Sequence, residues 1–85
     1  MHFVYILFSE KHNRHYIGLT SNIDQRLHEH NSGQNKSTKP YRPWKLIHSE
    51  AFPTRSEARQ REKYYKSGIG REKIKEFHDI KIKDS

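Results

Sequence analysis

The run Phe3-Val4-Tyr5-Ile6-Leu7-Phe8 is apolar, β-branched and aromatic, and too short for a helix, which predicts a central β-strand. The polar stretch Ser9 to Arg14 has turn composition. His15-Tyr16-Ile17-Gly18-Leu19 then follows at hairpin distance as an antiparallel partner, a pairing that brings the two strand tyrosines near each other. Asn22 as N-cap, Gln25 three residues on and Gly33 as the glycine after the last turn predict a helix over 22–32. Residues 32–43, SGQNKSTKPYRP, show no apolar period and read as a basic, mobile loop. Trp44 to Phe52 alternates imperfectly and reads as a third strand, at an edge.

Thr54-Arg55-Ser56-Glu57 is a capping box that opens a second helix running to about Ser67, with Gly68-Ile69-Gly70 as its stop. A shorter third helix is expected from about Arg71 to Phe77, with Ile74 and Phe77 on one face. Residues 78–85 read as a C-terminal tail with an Ile80/Ile82 alternation. The expected fold is therefore α+β: a three-stranded antiparallel sheet flanked by about three helices, in one domain over residues 1–77. No repeat or low-complexity segment interrupts it.

Helical spacing singles out a few polar residues. In the first helix Ile23, Leu27 and His30 fall at i, i+4 and i+7, so His30 continues the stripe facing the sheet, and Arg26 sits at its edge. In the second, Ala58, Glu62 and Tyr65 share a stripe. A carboxylate in that position needs a cationic partner or a metal. Each residue also has a plainer reading: Glu62 paired with Arg59 or Lys66, His30 packed or capping, Arg26 a surface cation, Tyr5 and Tyr16 in cross-strand packing.

Composition narrows the chemistry. Eighty-five residues give one domain with a radius of gyration of roughly 12 Å and room for one shallow site. With no cysteine, disulfides, thiolate catalysis and Cys-based zinc sites are excluded, and a metal must sit on oxygen or imidazole. The longest apolar run is far short of the ~20 residues of a membrane span and no signal peptide precedes it, so a cytoplasmic protein is expected. The net charge is +7 and unevenly placed: twelve of the seventeen Lys and Arg lie between Lys36 and Lys75 with four acids, whereas residues 1–35 are balanced. The basic half is a candidate polyanion surface.

Tyr5 in Phe3-Val4-Tyr5, then Tyr16-Ile17-Gly18, Arg26 eight residues past that glycine, His30 one turn on, and Glu62 in the second helix together resemble the GIY-YIG endonuclease superfamily. The resemblance covers about residues 2–76. Arg42-Pro43-Trp44-Lys45-Leu46, Glu57-Ala58 and Lys66-Ser67-Gly68 are most similar to its small standalone bacterial members (URI domain), related to the nuclease domain of the UvrC repair protein. Phe3 stands where the family name has glycine. The resemblance implies a metal-dependent DNA endonuclease acting in DNA repair or processing; with no separate recognition module in the chain, its sequence specificity is expected to be low, with selection by DNA structure as the alternative, and neither a membrane partner nor a small-molecule cofactor is expected. The resemblance also implies Glu62 as the sole carboxylate ligand of Mg²⁺ or Mn²⁺, Arg26 on the scissile phosphate, and Tyr5, Tyr16 and His30 on the nucleophile side. Family members also carry a polar residue after the glutamate helix, for which Ser67 is the nearest candidate.

The chemistry is consistent with such a site. Phosphodiester hydrolysis builds charge on nonbridging and leaving oxygens, and needs a base beside the incoming water. Mg²⁺ keeps several waters and tolerates one carboxylate. Arginine presents a forked, permanent cation to phosphate. The general base is one of the tyrosines by resemblance and His30 by its ordinary pKa. Lys36, Lys39 and Arg42 in the loop, with Arg59 and Lys63 on the second helix, are expected to track DNA phosphates without reading sequence. A noncatalytic nucleic-acid-binding module with the same fold and a basic adaptor for an acidic protein are the competing readings.

Overall fold

The structure, a computed structural model, describes the backbone of residues 1–83 and the side chains of residues 1–77. Strands β1 (His2–Ser9), β2 (Arg14–Thr20) and β3 (Lys45–Phe52) form one antiparallel sheet in the order β2-β1-β3, so the most apolar strand is central as its sequence predicts. The hairpin closes at the Ser9–Arg14 pair, and Asn13 takes a positive φ of 50° in its turn, a conformation asparagine tolerates better than most residues.

Alternation along β1 separates two cores. Val4, Ile6 and Phe8 pack with Ile47, Ala58, Tyr65 and Ile74 beneath helices α2 (Arg55–Tyr65) and α3 (Gly68–Lys83). Tyr5 and Leu7 pack with Trp44, Tyr16, Ile23 and Leu27 beneath helix α1 (Ile23–Ser32). The helices thus lie on opposite faces of the sheet. A bulge in β3 sets Ile6 against His48 and Leu7 against Leu46, so Ile47 is the extra residue.

The caps follow the sequence. Asn22 Oδ1 accepts from the Gln25 N–H at 3.1 Å, Thr54 Oγ1 accepts from the Glu57 N–H at 3.2 Å, and Gly33 ends α1 at φ 84°. Three segments differ from expectation. The loop before β3, read as aperiodic, carries structure and anchors: it contains a 3₁₀ turn at Lys39–Tyr41, Thr38 is buried, and the Trp44 Nε1–H donates to the Thr38 carbonyl at 3.0 Å. Gly68-Ile69-Gly70 opens a helix instead of stopping one, because Ser67 acts as its cap, its Oγ accepting from the Gly70 N–H at 3.2 Å. Gly70 is required there, since a Cβ would overlap the Tyr64 carbonyl. Finally, α3 runs through Lys83, into the span expected as a tail; residues 84–85 of that span lie outside the described residues.

A polar network no sequence pattern announces lies under α2 and α3. Glu50 of β3 accepts from the Tyr65 hydroxyl, from Arg61 Nε at 3.0 Å and, at 2.9 Å, meets His48 Nε2. The His48 ring stacks on Phe77 with centroids 3.8 Å apart. Burial works to raise the Glu50 carboxyl, but the Tyr65 and His48 hydrogen bonds and the Arg61 charge outweigh it and hold it below the ordinary value.

Candidate active site

On the α1 face the register places Tyr5 opposite Gly18 and Leu7 opposite Tyr16. The Tyr5 ring crosses the strand directly over Gly18, where a Cβ would overlap it. The glycine of Tyr16-Ile17-Gly18 therefore makes room for the other tyrosine. The two phenol rings lie with centroids 6.1 Å apart, and the His30 ring is 4.7 Å from that of Tyr16.

His30 reaches this group because it continues the inward stripe of α1, and both it and Tyr5 are only 1% exposed. Tyr5 Oη lies 3.1 Å from His30 Nε2, and His30 Nδ1 lies 2.8 Å from Thr38 Oγ1. Thr38 Oγ1 in turn donates to the Asn35 carbonyl at 3.4 Å. One tautomer satisfies all three contacts: Nδ1–H donates to Thr38, and Nε2 accepts the Tyr5 proton. Burial, and next the Arg26 charge, lower the His30 pKa, which keeps the ring neutral as this arrangement needs. Burial, and next the neighbouring Tyr16, push Tyr5 up to about 12, the Arg26 cation opposing them in part. Tyr5 is consequently a hydrogen-bond donor at neutral pH and a poor base.

Arg26, one turn before His30, is half-buried at the rim. Its Nη1 donates to Glu29 Oε2 at 3.1 Å, and its charge acts on both phenols. Arg26, Glu29 and His30 line an open concavity of about 310 Å³ with Gln34 and Asn35. Tyr16 is half-buried on edge strand β2, more open than Tyr5. Tyr5, Tyr16, Arg26 and His30 are thus brought together from β1, β2 and α1.

Glu62 is placed differently. It sits on α2, across the sheet from this group, and its carboxylate takes Lys66 Nζ at 3.6 Å, the plainer pairing its sequence position allows. Arg55 shares a hollow with Leu19 and Thr20, and Lys66 one with His15 and Ile17, so α2 runs antiparallel along β2. One turn before Lys66, Glu62 therefore borders the same edge strand that carries Tyr16 on its other face. Among the described residues no three His, Cys, Asp or Glu side chains gather as a metal cluster. A lone, partly exposed carboxylate suits an ion that completes its shell with phosphate and water.

Lys36, Lys39 and Arg42 line a separate concavity, and Arg59 and Lys63 are exposed on α2. Ser67 is occupied in capping α3. Glu29 is legible in the sequence only through its spacing of three from Arg26 on one helix. Thr38 carries no such signal, because its bond to His30 depends on how an aperiodic loop folds back. No helix among the described residues is long and apolar enough to cross a membrane.

Residues 1–75 match the family model for the GIY-YIG catalytic domain. A UPF0213 protein of Staphylococcus haemolyticus is 40% identical over 75 residues, covering 87% of this chain and 90% of the relative. One of Listeria welshimeri is 46% identical over 66 residues, covering 76% of this chain and 72% of the relative. The solution NMR structure of a UPF0213 protein from Bacillus halodurans superposes with a TM-score of 0.52 at 34% identity, over 86% of this chain and 80% of that one.

Proposed function

Because the chain belongs to the GIY-YIG family, a family of nuclease domains, we propose that it is a divalent-metal-dependent DNA endonuclease of low sequence specificity, suited to repair or processing of DNA. The observation that carries this reading is the meeting of two phenols, a buried histidine and a half-buried arginine at one rim of the sheet. A pure binding surface has no use for that combination.

In this reading Arg26 binds the nonbridging oxygens of the scissile phosphate, and Glu29 keeps its guanidinium oriented while leaving donors free. Tyr16, the more open phenol, stands beside the attacking water. Tyr5 keeps its proton and donates a hydrogen bond to His30 Nε2, which fixes both rings. Thr38 fixes the histidine from behind. The choice of base left open by the sequence then falls on Tyr16, because Tyr5 and His30 are buried and engaged with each other. Glu62 would hold Mg²⁺ or Mn²⁺ from the α2 side of β2, and the ion would supply Lewis-acid charge to the phosphate. Lys36, Lys39, Arg42, Arg59 and Lys63 contact the DNA backbone away from the reacting bond.

The Glu62–Lys66 pair is the observation that favours a noncatalytic module instead. A nicking assay on branched and linear DNA in Mg²⁺ or Mn²⁺ separates the two. The parent is expected to cut, and Arg26→Ala and Glu62→Ala to lose on the order of 100-fold or more in rate. Full activity in Glu62→Ala would remove the metal assignment. Absence of cleavage in the parent with salt-dependent binding intact would leave the noncatalytic reading.

A further inference from the structure

A second basic region lies at the tip of the β1–β2 hairpin, away from the Tyr5–His30 group. The turn carries Lys11 and His12, and Arg14 starts β2; all three are exposed. On the α1 face Lys11 and His12 share an open concavity of about 650 Å³ with Lys36, Lys39 and Arg42. On the opposite face His15 lines one of about 530 Å³ with Lys66 and Arg71, and Arg14, whose guanidinium lies on the α1 face, borders it from the strand end. Neither hollow is lined by an Asp or Glu. Of the acids nearby, Glu10 in the turn pairs with Lys45 at 3.4 Å, and Glu62 takes Lys66 of the second hollow at 3.6 Å while His15 and Arg71 remain beside it.

These cations are braced. The Arg14 guanidinium lies 4.5 Å over the Tyr41 ring, and the His12 ring meets the same tyrosine edge-on at 5.3 Å. Tyr41 packs in turn on Trp44, whose indole N–H is fixed to Thr38. Through Tyr41, Arg14 and His12 hold the hairpin turn and the loop before β3 in one position relative to each other. An anionic membrane would require apolar anchors beside the charge. The exposed large apolar residues among those described are Met1 and Ile69, and neither lines these hollows. Cations on both faces of a two-stranded ribbon instead match a polymer with phosphates on either side of a groove that admits such a ribbon.

We propose that the hairpin tip is a grip for the nucleic-acid backbone: the strand or duplex passes over the turn, and its phosphates meet one set of cations on each face of the ribbon. This rests on the reading of the chain as acting on DNA, and adds the place where the substrate is held away from the reacting bond.

The test is salt-dependent binding of labelled DNA, single-stranded and duplex, by the parent, by Lys11→Gln with Arg14→Gln, and by Arg55→Gln with Lys75→Gln as a comparator of equal charge loss. The hairpin pair is expected to flatten the plot of log affinity against log salt by about two on duplex, with a loss of at least about tenfold in affinity, while the comparator changes little. Lys11→Gln with His12→Gln, which leaves the Arg14–Tyr41 contact in place, should flatten it by about one, and thermal melting reports whether each variant is folded. Parental affinity and slope in folded Lys11→Gln/His12→Gln, or an equal loss in the comparator, would overturn the grip. Cleavage at saturating DNA keeps the two proposals apart, since hairpin variants should retain the parent's rate there. A parent that never cuts, but whose binding depends on the hairpin, would sink the nuclease and keep the grip.

Discussion

Gly18 shows how much one missing side chain decides. The Tyr5 ring occupies the space a Cβ would need, so Gly18→Ala must displace the ring and break its bond to His30. A cost of about 1–3 kcal/mol is expected in denaturant unfolding, together with loss of cleavage. Tyr5 itself makes a spectroscopic prediction. Its phenol, pushed up to about 12, should ionise late in an alkaline absorbance titration, and Tyr5→Phe should remove one late-titrating group while Tyr65, also pushed up to about 12, remains. Because the Arg26 cation opposes that rise, Arg26→Ala should move the Tyr5 transition later still. A Tyr5 phenol that ionised at the ordinary value of 10 would contradict its burial against His30.

Helix α2 carries two carboxylate relationships with opposite consequences. Glu50, reached from α2 by Arg61 and Tyr65, is a structural acid: removing it strands a buried hydroxyl and a guanidinium. Glu50→Ala is expected to cost about 2–3 kcal/mol. Among the described residues Glu62 pairs with a largely exposed Lys66, so Glu62→Ala should cost less, about 1 kcal/mol or under, and show its effect in cleavage. Urea unfolding of both variants checks the contrast, and equal losses would show that Glu62 is held by more than its lysine. The sequence made the caps and strand order legible because Asn22, Gly33 and Thr54 act locally. Gly68-Ile69-Gly70 reads as a helix stop, but Gly70 permits close approach to Tyr64 while Ser67 caps and starts the next helix. The Glu50 network was hidden for a related reason: its members come from β3, α2 and α3, and no period in any one element marks them. The Tyr5–Tyr16 pairing and the inward His30 were readable from strand and helix periods, but Thr38 was not, its position being set by the fold of the loop.

Across the molecule, acid and alkali should destabilise through different groups. His30 has its pKa lowered on folding, so below the unfolded value of 6.5 the unfolded chain binds more protons and stability falls with pH. Glu50, also lowered, adds a further loss as pH falls below its ordinary 4.5. Tyr5 and Tyr65 are raised, so stability falls again as pH rises from 10 towards 12. Melting temperature should therefore show a plateau between about 6.5 and 10, and His30→Gln should flatten its acid shoulder near 6.5. The proposed site joins both faces of the sheet across β2. It is tested most directly by single-turnover DNA cleavage in Mn²⁺ for the parent, Arg26→Ala, Glu62→Gln and the double variant. If the four residues of the α1 face and Glu62 form one site, each single change abolishes most of the rate and the double is little slower than the worse single. Parental rates in Glu62→Gln would contradict it.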